Sequence, residues 1–202
     1  MPNIFDYMKW RDLPLKKVEF NEIDNLILSR VSYFPFDELI KDEEKITLKE
    51  AYDRYQKINK KKEIIFLQKE DKDLFKILAN SVRFSDTFIS DYVNKINIEE
   101  EKQFSAITIF LQDDKIYVSY RGTDNTVIGW KEDFNMSFNN LVRSQVEAAN
   151  YLNNIAKKYK NKIIVGGHSK GGNLAIYASV FCKDKYKKRI IKVYNNDGPR
   201  IY

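Results

Sequence analysis

The stretch that decides the fold is Ile163-Ile164-Val165-Gly166-Gly167-His168-Ser169-Lys170-Gly171-Gly172-Asn173-Leu174-Ala175. Its β-branched apolar opening reads as a buried strand. Leu174-Ala175-Ile176-Tyr177-Ala178 beyond it reads as a helix. Between them, Gly167-His168-Ser169-Lys170-Gly171 fits Gly-x-Ser-x-Gly at a strand-to-helix turn, the setting of a nucleophile elbow. A serine in so sharp a turn has its hydroxyl pushed out at the top of the sheet. Gly167 and Gly171 leave room for strand and helix to approach. The Lys170 amide, at the helix start, would point to where an oxyanion forms, and the helix dipole favours negative charge there. An ordinary glycine-rich turn is the competing reading. The Walker spacing, with Lys next to Ser or Thr after the second glycine, is absent, which argues against a phosphate-binding loop.

Working outward, the segment from about Asn140 to Tyr159 carries Val142, Val146, Ala149, Leu152 and Ile155 at helical spacing. Ile190 to Tyr194 reads as a last strand. Strand, helix and strand around an active turn form an α/β crossover. Earlier, Tyr92 to Ile98, Phe104 to Leu111 and Lys115 to Tyr120 read as three strands, with turns at Glu99 to Lys102 and at Asp113-Asp114. Such short links predict an antiparallel part of the sheet. Residues 1–90 read as mainly helical. Asn21 to Val31 places Ile23, Leu26, Ile27 and Val31 on one face, until Phe34-Pro35-Phe36 breaks it. Thr47-x-x-Glu50 is a capping box opening a helix to about Lys57. Asp71 or Asp73 starts another, with Leu74, Ile77, Leu78 and Val82 along one side. No repeat, linker or second-domain boundary is visible, so 1–202 is read as one domain, with 91–202 its sheet core.

Composition agrees with a globular chain. Of 202 residues, 43% are hydrophobic and 14% aromatic, enough for a sizeable core and too many for a disordered chain. Thirty-five basic against 29 acidic residues give net +6. The lysines are scattered among acids, so a solvated surface is the first reading. Peripheral contact with anionic membranes or acidic substrates comes second, and nucleic acid is not expected. Lys60-Lys61-Lys62 and Lys185 to Arg189 are read as exposed faces. The single cysteine, Cys182, rules out an internal disulfide and suits a reducing, cytoplasmic setting. The N-terminus has no signal-peptide pattern, and no apolar run reaches the ~20 residues of a membrane span. No metal or cofactor is expected.

A second motif, Ser119-Tyr120-Arg121-Gly122-Thr123-Asp124 followed by Trp130 and Asp133, joins the elbow in resembling class-three lipases, a branch of the α/β-hydrolases. Phe20-Asn21-x-x-Asp24, Ser32-Tyr33 and Asn196-Asp197-Gly198-Pro199 are similar to a bacterial lipase-like family of unknown function that shares those motifs. The resemblance implies a mixed sheet flanked by helices. It makes Ser169 the nucleophile of an acyl-enzyme mechanism on a small-molecule or lipid ester. Thr123 and the Lys170 amide become the oxyanion donors, and His168 a structural residue. A turn-capping role for Thr123 stays open. Arg121 and Asp133 are read as a structural pair that ties the loop down. Residues 126–138, with Trp130 and Phe134, are either a lid over the site or a loop packed on the core.

The mechanism is short of one part. A serine hydroxyl needs a base, usually histidine, and an acid to orient it. In α/β-hydrolases these follow the serine. The one histidine here immediately precedes Ser169, and neighbours in a tight elbow point apart. Asp184 and Asp197 are the only later aspartates. Two explanations are open: a fragment of a longer hydrolase, incomplete at its C-terminus with base and acid beyond Tyr202, or a variant without the base. The fragment is the preferred expectation. The functional alternatives are a serine hydrolase and a non-catalytic module binding a lipid, small ligand or protein.

Overall fold

A computed structural model describes residues 3–97, 102–124 and 142–199. The N-terminal part holds four helices: α1 (Ile4–Trp10), α2 (Glu22–Val31), α3 (Leu48–Asn59) and α4 (Lys69–Asn80). Six strands follow one another across a single mixed sheet in the order β1-β2-β3-β4-β5-β6. They are β1 (Ile46–Thr47), β2 (Phe88–Asn97), β3 (Lys102–Phe110), β4 (Lys115–Tyr120), β5 (Lys162–His168) and β6 (Ile190–Asn196). Pairing is antiparallel from β1 to β4, and parallel from β4 through β5 to β6. Helices α5 (Arg143–Lys158) and α6 (Lys170–Phe181) precede and follow β5, and a short α7 (Asp184–Lys187) leads into β6.

The period-two pleat of β4 and β5 divides the core. Ile116, Val118, Tyr120, Ile163 and Val165 face one side, where they meet Leu152 and Ile155 of α5 and Leu174, Ala175 and Ala178 of α6. Parallel strands in sequential order need crossover helices on the same face, and α5 and α6 accordingly share this cluster. Tyr117 and Ile164 face the other way, toward Ile27, Leu28 and the N-terminal helices. There Phe75 stacks with Phe34 at 4.9 Å and Tyr52 at 5.2 Å. Burial of β5 on both faces explains why it reads as a continuous apolar run rather than an alternating one.

Several elements depart from the expected detail. In α2, Ile23 and Leu26 are 39% and 44% exposed, while Asp24, Asn25 and Ser29 are buried. The buried polar residues have partners: Asp24 meets Arg83, and the Asn25 amide meets Tyr117 and Asn196. Val82 lies beyond the end of α4 and is exposed, as is Val146 on α5. β2 begins at Phe88, before the expected Tyr92, and bulges between Ser90 and Val93. Asp91 at the bulge has φ 54° and holds the end of α5 through Lys158 and the Tyr159 hydroxyl. Helix α1 has no counterpart in the sequence reading. The Thr47–Glu50 capping box is present at the start of α3. Glu99 to Glu101, part of the expected β2–β3 turn, lie outside the described residues. Among the described residues, no helix is long and apolar enough to cross a membrane.

Arg83, in the connection from α4 to β2, ties that connection to α2 and the segment before it. Its Nε and Nη2 donate to both Asp24 carboxylate oxygens, and the remaining donors reach the Leu13, Val18 and Glu19 carbonyls. All five guanidinium N–H groups are thereby used. Both side chains of the pair are fully buried. Removing one member of such a pair leaves the other charge uncompensated, so Arg83→Ala is expected to destabilise the protein by about 3–5 kcal/mol. The urea midpoint measures it; a shift under about 1 kcal/mol would mean that water reaches Asp24.

Candidate active site

The register of the parallel strands brings three strand ends to one edge. Tyr120 of β4 stands beside Gly167 of β5, and His168 stands beside Asn196 of β6. The Arg121-Gly122-Thr123 segment, Ser169 and Asp197 therefore emerge together. In parallel sheets, ligands bind at this carboxyl edge.

Ser169 has φ 55° and ψ −131°, a conformation that a side chain pays for in strain. Backbone bonds hold it there from both sides. Its amide donates to the Asn196 carbonyl at 2.9 Å, and its own carbonyl accepts from Gly172 at 2.8 Å. The side chain is half-exposed, and its hydroxyl makes no hydrogen bond among the described residues. The neighbouring glycines are forced by contact. A methyl at Gly167 would stand 2.7 Å from the Tyr120 carbonyl oxygen and press on the Gly171 backbone. One at Gly171 would press on Tyr120 and lie 3.0 Å from the Arg121 carbonyl carbon. One at Gly122 would stand 2.6 Å from the His168 carbonyl oxygen and 3.3 Å from Ser169 Cβ. The segment carrying Thr123 thus lies against the elbow, and Thr123 is itself half-buried.

Lys170 opens α6, so its amide sits at the positive end of the helix. Its side chain leaves the site: Nζ is buried and donates to the Gln103 carbonyl and amide oxygens at 3.0 and 2.9 Å. Arg121 is buried and donates to Asn94 Oδ1 at 3.0 Å, with Asp124 at 3.7 Å. Asp133, the partner expected for it, lies outside the described residues, as do Trp130, Phe134 and the whole 126–138 lid segment.

His168 is turned to Tyr33. The Tyr33 hydroxyl stands 3.3 Å from both the imidazole Nδ1 and the His168 carbonyl oxygen, and accepts the Gly122 amide at 3.0 Å. Partial burial, then the Arg30 guanidinium, holds the imidazole below its ordinary pKa, with Asp197 pulling the other way. Arg30 in turn lies 4.2 Å over the Tyr33 ring and pairs with Asp71. No hydrogen bond joins His168 to the Ser169 hydroxyl.

Sequence reasoning missed the groups beneath this edge. Asn25 Oδ1 accepts from the Tyr117 hydroxyl at 2.8 Å, and Asn25 Nδ2 donates to Asn196 Oδ1 at 2.8 Å. Asn196 Nδ2 reaches the Gly167 carbonyl at 3.1 Å. Tyr33, though quoted as a signature residue, carried no role. Only the third dimension joins Tyr33 to residues nearly ninety or more positions away.

A family model described as Mbeg1-like matches residues 78–202, a span that begins at the end of α4 and takes in β2 to β6 and the elbow. No curated protein and no solved structure matches the chain.

If the surroundings impose the Ser169 geometry, glycine at that position relieves it. Ser169→Gly is expected to be more stable than Ser169→Ala by about 1 kcal/mol, read from denaturant midpoints. Equal midpoints would show that the turn is unstrained.

Proposed function

We propose that this chain, a member of the Mbeg1-like family, is a serine hydrolase of the lipase or esterase kind on an α/β-hydrolase-type fold related to class-three lipases. The observation that carries the reading is Ser169: a strained, half-exposed serine at a strand-to-helix turn, with the Gly122 segment packed against it. Its Oγ attacks an ester carbonyl carbon and the carbonyl electrons move to oxygen. The Lys170 amide at the start of α6 and the Thr123 amide or hydroxyl receive that oxyanion. One such donor contributes about 3 kcal/mol to the transition state. Collapse expels the alcohol, which takes up a proton, and water then releases the acid from Ser169. A buried Cys182 and the lack of any second cysteine suit the cytoplasmic setting that belongs to the same proposal.

The proton on Ser169 needs an acceptor, and the sequence has one imidazole, which is engaged by Tyr33. That observation favours a second reading, in which the same edge binds a lipid, small ligand or protein partner without turnover. On the hydrolase reading the base is a group other than His168.

A fluorophosphonate probe separates the two. The hydrolase reading expects one covalent adduct, on Ser169, absent in Ser169→Ala and retained in Ser179→Ala, together with ester hydrolysis that follows the same pattern. A folded full-length protein whose Ser169 stays unmodified and that shows no ester hydrolysis moves the assignment to the binding module, and esterase activity that survives Ser169→Ala overturns Ser169 as the nucleophile.

A further inference from the structure

Two short segments hold more net positive charge than the whole chain. Residues 157–162 and 183–192 contain ten Lys and Arg and one acid, Asp184, a local charge of +9. The whole chain is +6, so everything else is net −3. Of the two segments, Lys185 to Arg189 reads in the sequence as an exposed face. The fold fuses them. Arg189 donates to the Tyr159 carbonyl at 2.7 Å and also reaches the Ala156 carbonyl. The Ile163 amide donates to the Arg189 carbonyl at 2.8 Å, and the Lys183 amide donates to Asn153 Oδ1 at 2.8 Å. Both segments therefore lie where β5 and β6 begin, at the pole opposite Ser169, where Asp91 against Lys158 and Asp114 against Asn161 reduce the local charge without reversing it.

Three lysines of the cluster are paired: Lys158 with Asp91, Lys187 with Asp184 and Lys192 with Glu22. Lys157, Lys160, Lys162, Lys183, Lys185 and Lys188 are exposed and have no ion pair among the described residues. Immediately before them in the chain, Val180 and Phe181 end α6 at 52% and 58% exposure, and Ile191 on β6 is 49% exposed.

We propose that this pole is a docking surface for an anionic lipid bilayer. A surface that is both lysine-rich and apolar fits a bilayer in both respects. Lysine heads stay among anionic headgroups while their stems lie along apolar surface. Val180 and Phe181 enter the headgroup boundary, as the apolar side chains of interfacial proteins do. A nucleic-acid backbone complements the lysines equally well but leaves the exposed valine, phenylalanine and isoleucine in water. Docking leaves the Ser169 edge facing away from the bilayer, one strand length or about 20 Å distant.

Vesicle co-sedimentation tests this with the protein and its variants. Binding is expected to phosphatidylcholine vesicles containing about 30% phosphatidylserine at about 0.1 M salt, and not to phosphatidylcholine alone. The triple variant Lys183→Glu, Lys185→Glu, Lys188→Glu is expected to lose more than about tenfold in affinity. Val180→Ser with Phe181→Ser, at unchanged charge, is expected to lose several-fold. The same reversal at Lys60, Lys61 and Lys62 is expected to change binding less than about twofold, and Ser169→Ala not at all, which separates this surface from the nucleophile assignment. The proposal is overturned by no binding to the anionic vesicles, by equal loss at Lys60 to Lys62, or by duplex DNA or RNA competing the protein off vesicles while binding the apolar double variant undiminished.

Discussion

In-register parallel pairing of β4, β5 and β6 is the constraint on which the rest of this protein depends. It sets Tyr120 beside Gly167 and His168 beside Asn196, so the three strands end level. The consequence reaches a single residue. The Asn196 carbonyl receives the Ser169 amide because Asn196 is the register partner of His168, the last residue of β5. With its own carbonyl bonded to Gly172, Ser169 has no cheaper conformation to relax into. Strain of order 1–3 kcal/mol persists only where neighbours over-determine the backbone in this way.

A second layer keeps that edge in place from below. Tyr117, Asn25 and Asn196 form a buried polar web joining β4, α2 and β6, and Asn196 also touches the Gly167 carbonyl. Buried polar groups are costly when unmatched and rigid when matched. The web therefore fixes how far α2 stands from the sheet, where a purely apolar interface would tolerate slippage. Tyr33, two residues past the end of α2, uses that fixed distance. Its hydroxyl meets the Gly122 amide and the His168 carbonyl at once, linking the Thr123 segment to the elbow. Burial pushes the Tyr33 phenol up, so it remains a neutral hydroxyl able to donate and accept. Arg83, by holding Asp24 at the first turn of α2, sets the other end of the same helix.

Much of this was legible in the residues. The elbow strand, its helix, the β3–β4 hairpin and the capped α3 follow from periodicity and turn chemistry, which are local. What was not legible was polar burial. The α2 pattern pointed to an inward face containing Ile23 and Leu26, yet Asp24 and Asn25 take inward positions because their partners come from Arg83, β4 and β6, and Ser29 is buried with its hydroxyl on the Leu26 carbonyl. Helical spacing cannot anticipate a partner sixty to 170 residues away. The Lys170 side chain shows the same limit. Beside a nucleophile it invites a catalytic reading, but it is buried against Gln103 of β3 and braces the start of α6. Likewise, Lys185 to Arg189 reads as an exposed face in the sequence, and only the fold, through Arg189, joins it to residues 157–162.

Helix electrostatics offers an internal reason for part of that charge, at the carboxyl ends of both α5 and α6. The carboxyl end of α6 carries partial negative charge, which a nearby cation offsets. Lys183, two residues beyond Phe181, is placed for this. The carboxyl end of α5 is matched in the same way by Lys157 in its last turn and by Lys160 two residues beyond Lys158, but the effect fades within a turn and does not reach Lys162. Like charges gathered on one pole repel, and while Arg189, Lys158, Lys187 and Lys192 have partners in the fold, the exposed lysines beside them have no ion pair among the described residues. Moving them to the acidic remainder of the surface would relieve that repulsion. Those lysines are better explained by an anionic surface outside the molecule than by the helix ends alone. The neighbouring Val180 and Phe181, exposed at the same helix end, point to a surface with an apolar interior as well.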